Sequence, residues 1–217
     1  PLSRTIARTL LARERRALAT LAGRARAPRI VDDEQLASLP SPDGRVPARA
    51  DVLVREFVDG VPLHQAEVVP LDFFDALEEL VRELHACGVA HNDLHKEQNI
   101  VIAPDGTPRL IDFQLASVHA RGSRTLTLRA RDDLRHVAKH RRRYLRYVRV
   151  VDVAPPAELL ANPPRAPRRR GAALVWRKTA KPLYNFVTRR LLGRKDGEAR
   201  RETRSHWPQW GPPARGG

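Results

Sequence analysis

The run His91-Asn92-Asp93-Leu94-His95-Lys96-Glu97-Gln98-Asn99, together with Leu110-Ile111-Asp112-Phe113-Gln114-Leu115-Ala116, decides how this chain is read. Between them, Ile100-Val101-Ile102 and Leu110-Ile111 are short apolar runs joined through Pro104-Asp105-Gly106, a turn signal that predicts a β-hairpin. Ahead of them, residues 71–86 place Phe73, Leu77, Leu80, Val81 and Leu84 at helical spacing, and Gly88 closes the helix. Helix, polar loop, hairpin and second acid form a specific order. It brings Asp93, Asn99 and Asp112 to one edge of a small sheet. Phosphoryl transfer needs such a set. One carboxylate orients a nucleophilic hydroxyl and accepts its proton, while an amide oxygen and a second carboxylate hold Mg²⁺ against the phosphates.

Working outward, residues 3–22 predict a helix with Leu10, Glu14, Ala17 and Leu21 on one stripe, ended by Gly23. Glu14 thus sits on the apolar stripe of an Arg-rich helix. Residues 38–49 are turn-rich and predict a loop, and 52–57 predict a short strand ending at Asp59-Gly60. A basic helix is expected over 131–149, with Leu134, Val137, Ala138, Leu145 and Val148 inward. Beyond it, 151–172 reads as a Pro/Arg-rich linker, 173–193 as a basic amphipathic segment, and 194–217 as a polar, aperiodic, disordered tail.

Composition narrows the classes. A chain of 217 residues suits one ordinary domain with tails, and 40 Lys+Arg against 25 Asp+Glu leave a net charge of +15. The excess lies mostly in 139–149 and 165–204. The lone Cys87 excludes a disulfide framework and a multi-Cys zinc site and reads as a small buried residue in a reducing compartment. Aromatic residues make up 5%, too few for an array of stacking platforms on single-stranded nucleic acid. No apolar run reaches the ~20 residues of a membrane span. With no Met and an opening Pro1, the chain is expected to have its true start upstream.

HNDLHKEQN at 91–99 and LIDFQLA at 110–116 resemble the protein-kinase-like superfamily, in its atypical bacterial branch with RIO-type kinases, lipopolysaccharide-core sugar kinases and aminoglycoside phosphotransferases. VREFVDGVPL at 54–63 resembles the hinge between the lobes, and Glu14 resembles the regulatory-helix glutamate that pairs with an ATP-binding lysine. The resemblance covers about residues 1–150. It implies an α+β fold: 1–60 as a remnant of the N-terminal lobe and hinge, and 61–150 as a mostly helical C-terminal lobe with short hairpins. It implies ATP and Mg²⁺ as cofactors, Asp93 as catalytic base, and Glu14, Asn99 and Asp112 on the nucleotide side. Asn99 and Asp112 would be the Mg²⁺ ligands, and His91 would brace the loop.

Three departures stand out. Asn99 lies six positions after Asp93, one more than usual, so Gln98 competes for the amide role; Asn99 is favoured because the strand begins directly after it. Gln114 replaces the glycine of the usual Asp-Phe-Gly. No glycine-rich loop exists, and no Lys precedes Lys96. Truncation is the expected reason, with the present chain binding ATP weakly and transferring nothing. Glu14, without its lysine, is then expected to pair with an Arg or let its helix fray.

The implied activity is transfer of the ATP γ-phosphoryl group to a hydroxyl of a protein Ser/Thr or a lipopolysaccharide-type sugar, in the cytoplasm. The segment 173–193 would lie on an anionic membrane face through Trp176, Tyr184, Phe186 and its cations. Two alternatives from other classes are a metal-dependent hydrolase using His91, Asp93 and His95, and a non-catalytic basic nucleic-acid-binding protein. His119, His136 and His140 read as solvated histidines, and Tyr144 and Tyr147 as packing residues.

Overall fold

The computed structural model describes residues 2–22, 24–31, 48, 50–146 and 209–211. All belong to one unit, 1–166 with 208–217; the second unit, 167–207, lies outside the described residues. So do the expected linker, the amphipathic segment 173–193, Tyr147 and Val148, and nearly all of the 38–49 loop. The described residues form three helices and several short strand pairs, an α+β arrangement.

Helix α1 (Leu2–Leu21) is two helices in character. Its first turns are exposed and Arg-rich, whereas Glu14, Ala17, Leu18 and Leu21 are buried. That buried half packs on the 3-10 turn Phe113–Leu115. From Arg24 the chain returns along the 52–56 segment, where Val31 N donates to Val54 O at 3.0 Å and Glu56 N to Arg29 O at 2.9 Å. The expected strand at 52–57 is reduced to one bridge, Ile30 with Arg55. Among the described residues its partner is only the short stretch Arg29–Val31, too little to build a ladder.

The hairpin forms as expected: β4 (Ile100–Ile102) pairs antiparallel with β5 (Pro108–Leu110), and β1 (Val61–Pro62) flanks β4. Gly60, at φ +136°, lets the chain pass against the Ile102 carbonyl, where any Cβ would collide. Strands β3 (Val89–Ala90) and β6 (Ser117–Val118) make a second antiparallel pair.

Helix α2 (Phe73–Ala86) buries Phe73, Phe74, Leu77, Leu80, Val81 and Leu84, the expected face with Phe74 added. The last helix, α3 (Arg124–Arg146), begins earlier than the expected 131. Ser123 starts it, its hydroxyl accepting from Leu126 N at 3.2 Å and its carbonyl from Thr127 N at 3.0 Å. The apolar stripe is sparse in these first turns, so periodicity alone did not reveal them. The buried face also differs: Leu126, Asp133, Val137, His140 and Tyr144 face inward, while Leu134 is half-buried. His136 and His140 are therefore not solvated; His140 is 2% exposed. Phe73, Phe74 and Tyr144 form the aromatic joint between α2 and α3, with centroids 5.4 and 5.6 Å apart. Each such buried ring contributes about 1.5–3 kcal/mol. Arg141 adds a two-pronged ion pair to Asp75 at 2.7 and 3.1 Å.

The tail requires a correction. Gln209–Gly211, inside the segment expected to lack order, form strand β7, parallel to β2 (Val68–Pro70). Backbone hydrogen bonding to an unpaired strand edge needs no apolar periodicity, which is why the sequence pattern missed it.

Candidate active site

The short strand pairs and the two helices beneath them carry the polar loop. Asp93 is buried, yet both carboxylate oxygens have basic partners: Oδ1 lies 3.0 Å from His95 Nδ1, and Oδ2 lies 2.9 Å from Lys96 Nζ. The Asn99 amide donates to the Asp93 carbonyl and to Oδ2, both at 3.1 Å. Burial alone would push the Asp93 carboxyl up, but His95 and Lys96 outweigh it and hold it below the ordinary carboxylate range. The residue is thus an anion at neutral pH, flanked by an exposed His95 and a half-buried Lys96.

Asn99 is buried and its NH₂ is committed to Asp93, leaving the amide oxygen to accept. Gln98 is half-buried and outside this bond. Asp112 follows β5 in the left-handed region, φ 64° and ψ 69°. Ile111 N donates to Asn99 O at 3.1 Å, so the two candidate ligands adjoin across the start of the hairpin. Glu14 reaches the same neighbourhood from α1. Its carboxyl is raised first by burial and also by the nearby Asp112 charge, and is eased by Arg55 and the Phe113 N–H. Arg55 Nε stands 3.4 Å from Glu14 Oε1, the arginine partner expected in place of a lysine.

The donor set fits Mg²⁺. Asn99 and Asp112 offer an amide and a carboxylate oxygen, hard donors of the type Mg²⁺ takes, at backbone positions that adjoin, and among the described residues no cation pairs with Asp112. Such an ion takes most of its remaining ligands from phosphates and water. The His91, Asp93, His95 metal set has no such geometry. His91 is fully buried, its ring 4.8 Å from Phe113 and its Nε2–H donating to Ile111 O at 3.0 Å. Burial holds this imidazole below its usual range, so it is a neutral brace. Among the described residues no group of three His, Cys, Asp or Glu is placed to hold a metal.

Two anchoring residues escaped the sequence reading. Asp133 of α3, 1% exposed, accepts from His91 N and Asn92 N at 2.9 Å each, and its Oδ2 lies 3.1 Å from His85 Nε2. Glu97 is buried under α3, receiving Arg143 at 3.0 Å and the Tyr144 hydroxyl at 3.2 Å, with His140 Nδ1 also at 3.2 Å. Tyr144 and His140 hold the loop further through Leu63 O and Leu94 O, both at 2.8 Å. The signal was available: Asp133 lies on the stripe Leu126, Asp133, Val137, His140, Tyr144, a carboxylate on a buried face like Glu14. A cavity of about 360 Å³ lies elsewhere, between residues 56–59 and the Ala103–Asp105 turn, and contains none of Asp93, Asn99 or Asp112.

No protein-family model matches the chain. A curated protein named "Probable SapB synthase", from Streptomyces coelicolor, is 34% identical over 128 residues. The match covers 50% of this chain and 12% of that protein, so the chain spans a small part of its relative. Among the described residues no helix is long and apolar enough to cross a membrane.

Proposed function

We propose that residues 1–150 are the C-terminal lobe, with its hinge and regulatory helix, of a protein-kinase-like phosphotransferase acting on a hydroxyl. The observation that carries this reading is the Asn99 amide bonded to a buried, ionised Asp93, with Asp112 adjoining through the hairpin. Asn99 and Asp112 would hold Mg²⁺, which when bound neutralises charge on the nucleotide phosphates. Asp93 orients the acceptor hydroxyl and takes its proton as the new O–P bond forms and the bond to ADP breaks. Lys96 and His95, against its two carboxylate oxygens, favour the ionised form of the buried Asp93. The acceptor is a protein Ser/Thr or a sugar hydroxyl.

The test uses the gene product as encoded, with Mg-ATP and γ-phosphoryl transfer as readout. Asp93→Ala lowers turnover by at least ~10²-fold, the lower range for a positioned base. Asp112→Asn weakens Mg²⁺-dependent nucleotide binding. Turnover unchanged by Asp93→Ala overturns the assignment.

A further inference from the structure

Asn92 stands directly before Asp93 and adopts φ 64°, a conformation that side chains other than Asn and Asp rarely take. Its side chain does not point into the loop. The Nδ2 group donates to Leu115 O at 2.8 Å and to Ser117 Oγ at 2.9 Å, with a longer contact to Ala90 O at 3.3 Å. Its own backbone N–H is held by Asp133 Oδ1 at 2.9 Å. Leu115 and Ser117 belong to the turn and strand that follow Asp112. One amide therefore spans the two segments that carry the candidate base and a candidate metal ligand.

The β3–β6 pair brings these segments side by side but stops at Ala90 and Ser117. Beyond that ladder, His91 reaches the Ile111 carbonyl through its ring Nε2–H. The Asn92 amide also ties the two segments together. Without it the Phe113–Leu115 turn keeps a single 3-10 hydrogen bond of its own, Ala116 N to Phe113 O at 2.9 Å.

We infer that Asn92 is a positioning residue that latches the Asp112 turn to the Asp93 loop, setting the distance between base and metal ligand. The inference rests on the phosphotransferase reading for its consequence in catalysis, and on geometry alone for the latch. Asn92→Gly separates the two roles of the side chain. Glycine keeps the positive φ without strain, so the change removes only the amide.

Two readouts are needed. In the chain as it stands, with no nucleotide or metal, hydrogen exchange at residues 113–118 accelerates by roughly tenfold or more in Asn92→Gly. Exchange in α2 stays as in the wild type. In the gene product as encoded, the apparent Mg²⁺ requirement of phosphoryl transfer rises about 10–100-fold, the usual effect of losing an outer-shell partner, and excess Mg²⁺ restores turnover. A merely structural residue does not show that rescue. Should Asn92→Gly fail to fold, Ser117→Ala carries the same test, with His119→Ala as control because His119 Nε2 also lies 2.7 Å from Ser117 Oγ. Unchanged exchange at 113–118 overturns the latch. Accelerated exchange with no phosphoryl transfer in the wild type keeps the latch and overturns the phosphotransferase reading instead.

Discussion

The loop 91–99 and the described stretches 24–31 and 50–60 differ in where their charged contacts lie. The loop is fastened by buried groups: Asp133 beneath His91 and Asn92, and Glu97 under Arg143 and Tyr144. The described stretches 24–31 and 50–60 add exposed ion pairs to the inner Arg55–Glu14 contact. Asp51 takes Arg4 at 2.8 Å and Arg8 at 2.7 Å, and Arg29 lies 3.7 Å from Glu56 with 73% and 50% of the side chains exposed. Water competes for each of these exposed ion pairs and far less for the Asp133 contacts beneath the loop. On the proposed phosphotransferase reading, where this loop would hold a base and a metal ligand, the first arrangement serves that need.

Asp133→Ala tests the contrast most severely. It strands the His91 and Asn92 N–H groups and removes the partner of His85, and two buried donors left unpaired cost about 3 kcal/mol or more. Chemical denaturation reads this as a lower midpoint with an unchanged slope. A loss as small as that of a surface substitution breaks the comparison.

Acid sharpens it next. His136 is held at about 3, first by burial and then by Arg135, against the pull of Asp132 and with His95 and His140 also facing it; His91 is lowered by burial too. Both imidazoles bind protons less readily folded than unfolded. Stability is therefore complete above their ordinary value of 6.5 and declines as pH falls from there toward about 3. Asp93, whose carboxyl is lowered, adds a loss of the same sign below the ordinary 3.8. Urea midpoints measured at about pH 7.5 and about pH 5 show the decline, and His136→Asn flattens it. A midpoint that rises on acidification reverses the assignment of neutral, buried imidazoles.

The smallest effect belongs to the exposed ion pairs. Asp51→Ala removes both arginine contacts and leaves the melting temperature where it was, because exposed pairs contribute little and salt screens them. A clear drop on this substitution at physiological salt erases the distinction between the two regions.

Much of this was legible in the chain itself. The hairpin follows from two apolar runs and Pro104-Asp105-Gly106, because a tight turn between β-formers leaves few other folds for so short a segment. The α2 face follows from helical spacing, and Glu14 stood out as a carboxylate on an apolar stripe that pairs with Arg55. What local pattern could not carry is which distant groups meet. Asp133 lies 42 positions from His91, and Tyr144 lies 47 from Glu97, so each contact exists only once α3 has packed on the loop. The start of α3 at Ser123, the half-burial of His136 and burial of His140, the pairing of Gln209–Gly211 with Val68–Pro70, and the turning of Asn92 toward Leu115 are of the same kind. Apolar periodicity is local and survives in the sequence. A buried polar bond is chosen by whichever partner tertiary packing brings within reach, because an unpaired group there costs more than the bond itself returns.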